Sequence, residues 1–139
     1  MEISAIREKS NKFVANLDAM IGAALESRAD EFVKLNVEQM QDSKRADDAT
    51  ITPKYSPGYA AFKGFSNPNL KLTGSFHKRM FFATDGRTFF LSSDDEKMPS
   101  LVGRYSDTIF GIAPSRKEKG QAVALGAVSE LYNKMVLNA

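Results

Sequence analysis

The chain has no cysteine, which excludes disulfides, thiolate metal sites and cysteine nucleophiles and is compatible with assembly in a reducing cytoplasm. It has one histidine, His77. A metal site or triad built on it would need carboxylates for its other members, and a surface or partly packed ring is the simpler role. No apolar run approaches the roughly 18 residues of a membrane span. The N-terminus, MEISAIREKSNKF, is amphipathic and charged, unlike a secretory signal. A soluble, unprocessed chain is expected. Charge of one sign is scarce in excess: the net charge of +2 is too small for nucleic-acid binding by bulk electrostatics.

Catalytic and ligand-binding patterns are missing too. Neither GxxxxGK(S/T) nor GxGxxG occurs, and Gly74-Ser75 lacks the flanking glycine of a nucleophile elbow. Asp94-Asp95-Glu96 places three carboxylates in a row, but successive side chains point in different directions. No glycine-spaced loop like that of an EF-hand surrounds them, so a solvated acidic corner is expected. No catalytic, metal or cofactor-binding residue is assigned.

What remains is an ordinary globular composition, 42% hydrophobic and 26% charged over 139 residues, enough for one domain with a real core. No proline precedes Pro53. Ile3, Ile6, Phe13, Leu17, Met20 and Ala24 follow a three–four helical spacing. The stripe loses phase near Glu26-Ser27-Arg28 and resumes with Phe32, Leu35 or Asn36, and Met40. Ser27 ahead of Asp30 and Glu31 offers a cap for a fresh helix. The pattern predicts helix over 1–43, either one long helix, continuous or broken near residue 27, or two in succession.

Residues 44–71 mix turn formers with Tyr55, Tyr59, Phe62 and Phe65 and read as an extended aromatic loop with one helical turn near Gly58–Lys63. Residues 72–93 read as a β-hairpin turning on Asp85-Gly86, a type I′ signal. In that register Thr84 pairs with Arg87, Phe82 with Phe89, Phe81 with Phe90 and Met80 with Leu91. One face carries Met80, Phe82, Phe89 and Leu91; the other carries Phe81, Ala83, Thr88 and Phe90. A short segment spans 98–112. Ser115 and Glu118 form a capping box opening a C-terminal helix over 115–138, with Leu125, Val128, Tyr132 and Met135 as its stripe. The expected architecture is a single α+β domain.

Two basic clusters stand out, His77-Lys78-Arg79 and Arg116-Lys117-Glu118-Lys119. Lys63, Lys71 and Lys78 are interleaved with the loop aromatics, a pattern that single-strand binders share, although loop packing is its commoner meaning. A nucleic-acid-associated module is therefore the alternative reading.

Six short motifs occur in order: Leu35-Asn36-Val37-Glu38-Gln39, Tyr55-Ser56, Tyr59 to Lys63, Thr73-Gly74-Ser75-Phe76, Leu101 to Tyr105, and Ile109-Phe110-Gly111-Ile112. In this order they resemble the tail-completion or head–tail joining (virion morphogenesis) proteins of tailed bacteriophages. The similarity is closer to uncharacterised Bacteroidetes phage and prophage proteins with an LN-x-EQ, TG-x-F, I-x-G pattern, and it covers about residues 32–112. The glycine that follows LN-x-EQ in that pattern is absent here, where Asp42-Ser43-Lys44 stands, and the usual Asp beside the threonine is Leu72.

The resemblance implies a virion structural protein of the neck or upper tail, without enzymatic activity or cofactor. It implies a ring-forming homo-oligomer assembled in the host cytoplasm that joins portal or connector and tail proteins. No membrane partner is implied, and nucleic acid enters only as DNA passing through the ring. Within it, Thr73 and Gly74 shape the turn into the hairpin and Phe76 anchors it. A sheet with phenylalanines on both faces needs two covers. One is expected from the chain's own helices and the other from a neighbouring subunit, through Phe81 and Phe90 or through Phe82 and Phe89. The alternative is that both faces are internal. The aromatic loop, with Tyr55, Tyr59, Phe62 and Phe65, is the expected arm that orders on a partner.

Overall fold

The apolar stripe of the first forty residues folds as three helices rather than one or two: α1 (Ile3–Ala15), α2 (Leu17–Glu26) and α3 (Ala29–Gln41). The computed structural model describes residues 2–71, 74–85 and 88–137. The first break falls at Asn16, whose backbone and side-chain amides both donate to the Lys12 carbonyl and close α1. The second falls at Ser27-Arg28, but Ser27 does not cap α3. Its hydroxyl donates back to the Ala24 carbonyl (2.5 Å), and Asp30 and Glu31 instead place negative charge in the first turn of α3, where the helix dipole favours it.

α3 ends on a Schellman pair: the amide of Lys44 donates to the Gln39 carbonyl (2.9 Å) and that of Ser43 to the Met40 carbonyl (2.8 Å). This requires a left-handed residue at Ser43, φ 56°, the stretch where the resembled pattern carries glycine. Ser43 is buried and its hydroxyl has no partner among the described residues. Ser43→Gly is expected to stabilise the chain by about 1 kcal/mol. It removes left-handed strain and a buried orphan hydroxyl, which together outweigh the extra freedom of the unfolded chain. A raised urea midpoint at unchanged slope is the check; a lowered midpoint contradicts it.

The loop contains α4 (Pro57–Lys63), slightly longer than the single turn expected. Residues 72–93 are not hairpin throughout. Ser75–Lys78 forms a helical turn, α5, and only then do β1 (Met80–Asp85) and β2 (Thr88–Ser93) pair antiparallel. The register differs by two from the sequence expectation: Asp85 pairs with Thr88, Phe82 with Leu91 and Met80 with Ser93. The open end of the ladder favours this. Here the Asp94 amide donates to the Arg79 carbonyl, the Arg79 and Asp94 side chains pair at 2.9 Å, and the Ser93 hydroxyl donates to the Phe76 carbonyl. A slip of two residues leaves every side chain on its original face, so the two expected faces survive. Gly86 lies outside the described residues, as does Thr73.

After the hairpin come α6 (Met98–Tyr105), a 3-10 turn (Asp107–Ile109), a second (Pro114–Arg116) and α7 (Lys117–Tyr132), which widens into a π-helical turn (Asn133–Leu137). The capping box is not formed. Ser115 gives both its amide and its hydroxyl to the Asp48 carboxylate, tying the loop to the start of α7. On α7 the face turned inward is Val123, Ala124, Ala127 and Val128, while Leu125 and Met135 point outward. α2 and α3 pack on β1, α7 packs on α2 and α3, and α1 meets the end of α7, with Phe13 edge-on to Tyr132 at 5.3 Å. The fold is α+β, and its core gathers around Phe32, Met40, Ile51, Phe76, Leu91 and Ile109.

One device joins α3 to the segment that follows α6. Asn36 and Gln39, three apart on one face of α3, are both fully buried. Asn36 donates to the Ile109 carbonyl (3.0 Å) and accepts from the Gly111 amide (3.0 Å). Gln39 donates to the Gly111 carbonyl (3.1 Å) and accepts from the Ala113 amide (2.7 Å). Two side-chain amides thus serve segment 109–113 as a neighbouring strand would, meeting the demand of its buried backbone. Gly111 is needed there: its φ is +124°, and a Cβ would stand 3.0 Å from that of Ala46.

Candidate interaction surface

Alternation along the hairpin separates a covered face from an open one. On the covered face Phe82 and Phe89 stack on each other at 5.1 Å, and Phe32 of α3 lies against both, at 5.3 and 4.8 Å. Met80 and Leu91 are buried beside them. On the other face Phe81 is 41% exposed and Phe90 57%. Of the expected contact residues, Phe82 and Phe89 therefore belong to the interior, and Phe81 and Phe90 remain available. The alternative that both faces are internal fails at these two rings.

The aromatic loop forms a second surface. Tyr55 meets Tyr59 edge-on at 4.8 Å and Phe65 at 6.0 Å; Tyr59 stacks on Phe62 at 6.3 Å. Phe62 is 84% exposed, with Tyr59 and Phe65 also exposed. Between this cluster and α6 lies a cleft of about 480 Å³ lined by Tyr55, Tyr59, Leu70, Leu101, Arg104 and Tyr105 among others. The contribution of α6 was not visible in the sequence, because Arg104 and Tyr105 lie far along the chain from Tyr55. Burial and the neighbouring Tyr105 and Tyr59 phenols push the Tyr55 hydroxyl above its ordinary pKa.

Of the TGSF box, the structure describes Gly74, Ser75 and Phe76. Gly74 has φ 87° and precedes α5. Phe76 is buried, with the Phe110 ring at 5.9 Å. Ser75 donates to Asp95 at 2.7 Å, and His77 donates from Nε2 to the Asn69 carbonyl at 3.0 Å. Serine and histidine share this turn and an aspartate meets the serine, yet the imidazole's bond goes to backbone rather than to the serine, which is not triad wiring. Burial holds His77 below its ordinary pKa, Lys71 adds to that effect, and the bond to Asn69 opposes it.

Asp95 corrects the expectation of a solvated corner. It is buried, and the Lys97 amide (2.9 Å) and the Ser75 hydroxyl keep its carboxyl below the usual pKa. Among the described residues no group of three or more His, Asp or Glu is placed to hold a metal, and no helix is long and apolar enough to cross a membrane.

The two basic clusters are partly neutralised. In the first, His77 is buried and Arg79 pairs with Asp94. In the second, Arg116 pairs with Asp42 and, at 3.9 Å, with Glu38.

The chain matches no family model, no curated protein and no solved structure.

Proposed function

We propose that the chain is a structural subunit of a tailed-phage particle, an oligomeric adaptor of the neck or upper tail that acts in head–tail joining or tail completion. The observation that carries this reading is the open hairpin face. Phe81 and Phe90 expose apolar rings on a sheet whose opposite face is already filled, a patch that an isolated soluble protein does not benefit from keeping. A contact repeated from subunit to subunit closes into a ring when the rotation permits.

The clasp supports the resemblance behind this reading. Asn36 and Gln39 of the LN-x-EQ element bond the backbone of the I-x-G element, so two motifs far apart in sequence form one structural unit. That gives a physical reason for these letters to occur together. The partners are further copies of the chain and the portal or connector and tail proteins above and below, with DNA passing through the ring.

Phe90→Arg tests the contact. Because Phe90 is exposed, the variant is expected to fold with stability within about 0.5 kcal/mol of the parent. Light scattering should show a monomer where the unaltered chain forms an oligomer. An unaltered chain that stays monomeric at every concentration and is missing from purified particles overturns the reading.

A further inference from the structure

We propose that the aromatic loop, together with Arg104 and Tyr105 of α6, is a binding site for single-stranded nucleic acid. The first observation is charge segregation. Residues 49–84 contain none of the chain's 17 Asp and Glu but five of its 19 Lys and Arg: Lys54, Lys63, Lys71, Lys78 and Arg79. Three arginines elsewhere are compensated, Arg28 by Glu31 and Glu130, Arg45 by Asp47, and Arg116 by Asp42. Within this stretch only Arg79 has a carboxylate partner among the described residues; Lys54, Lys63, Lys71 and Lys78 have none. A net charge of +2 averaged over the molecule conceals a stretch of one sign.

The second observation is what stands among those cations. The Lys63 ammonium donates to the Lys71 carbonyl (3.2 Å) and lies 5.5 Å from the Phe65 ring centre, so charge and ring are held together. Tyr59 and Phe62 are inclined by only 26°, and Phe62 is largely bare. The Arg104 guanidinium sits 5.6 Å from the Tyr105 ring at the cleft. Cations tracking a backbone, with ring faces for successive bases, are the two components of single-strand recognition.

Duplex DNA hides its base faces and cannot use the rings. An anionic bilayer would engage the lysines and Phe62 but has no use for a concave tyrosine cleft. An acidic protein face would satisfy the charges without needing bare, near-parallel rings. The site is separate from the Phe81–Phe90 contact and does not depend on it.

Fluorescence anisotropy of the full chain with a short labelled oligothymidylate tests this, beside the matching duplex and phosphatidylserine vesicles. The single strand should bind best. Its log affinity should fall with log salt at a slope of about −0.7 per phosphate neutralised. Phe62→Ala, at an exposed position, should weaken binding about tenfold. Lys63→Glu with Lys71→Glu should flatten the slope by about 1.4. Phe90→Arg should leave affinity per subunit unchanged, which separates this site from assembly. No binding at low salt, binding indifferent to Phe62→Ala, or preference for duplex or vesicles each overturns the proposal.

Discussion

Phe32→Ala is expected to destabilise the chain by about 3–5 kcal/mol, the range for emptying a buried aromatic site. Phe32 is 1% exposed and lies against Phe82 and Phe89 at once. A two-stranded hairpin is marginal in water by itself, and this ring fastens its covered face to α3. Truncation leaves a cavity under the sheet and removes two aromatic contacts. Phe32→Leu keeps most of the volume and should cost under about 2 kcal/mol. Urea unfolding followed by circular dichroism measures both. Equal losses, or a loss near zero for the alanine variant, would show that the hairpin is held from elsewhere.

The second large effect is at the clasp. Gln39→Ala strands the Ala113 amide and the Gly111 carbonyl, at about 1–3 kcal/mol for each buried group left unpaired. Asn36→Ala does the same to the Gly111 amide and the Ile109 carbonyl. Each single variant should lose about 3 kcal/mol. The double variant should lose less than the sum, because once segment 109–113 is released by one change the other has less to break. A double-mutant cycle on the same unfolding signal reads the coupling. Strict additivity would mean that the two amides hold independent stretches of backbone.

These two features mark how far the sequence could be read. The hairpin faces were legible because alternation survives an even slip. Its register was not, because it is set at the open end by Arg79 with Asp94 and by Ser93 reaching Phe76, rather than at the turn. Helix was legible over the first forty residues. The break at Asn16 was not, since the apolar stripe runs through it and only a local bond to Lys12 closes α1.

The capping box failed for a similar reason: Ser115 satisfies the local pattern, but Asp48 offers it a better partner. Among the candidate site residues, exposure divided Phe81 and Phe90 from Phe82 and Phe89, and no periodicity contains that information. Asn36 was visible as an ambiguity in the α3 stripe and as a letter in a motif. Gln39 was visible only as a letter in a motif, because its partner lies 72 to 74 positions away.

That distance governs the order in which the molecule matures. Local helices and the hairpin close short loops, whereas the amide pair closes one of more than seventy residues and gains nothing until the far segment arrives. During synthesis the first hundred residues leave the ribosome with two amide side chains in α3 still hydrated and no backbone to receive them. Consolidation waits for segment 109–113, so a product truncated before Ile109 is expected to be a substrate for proteases rather than a smaller stable protein.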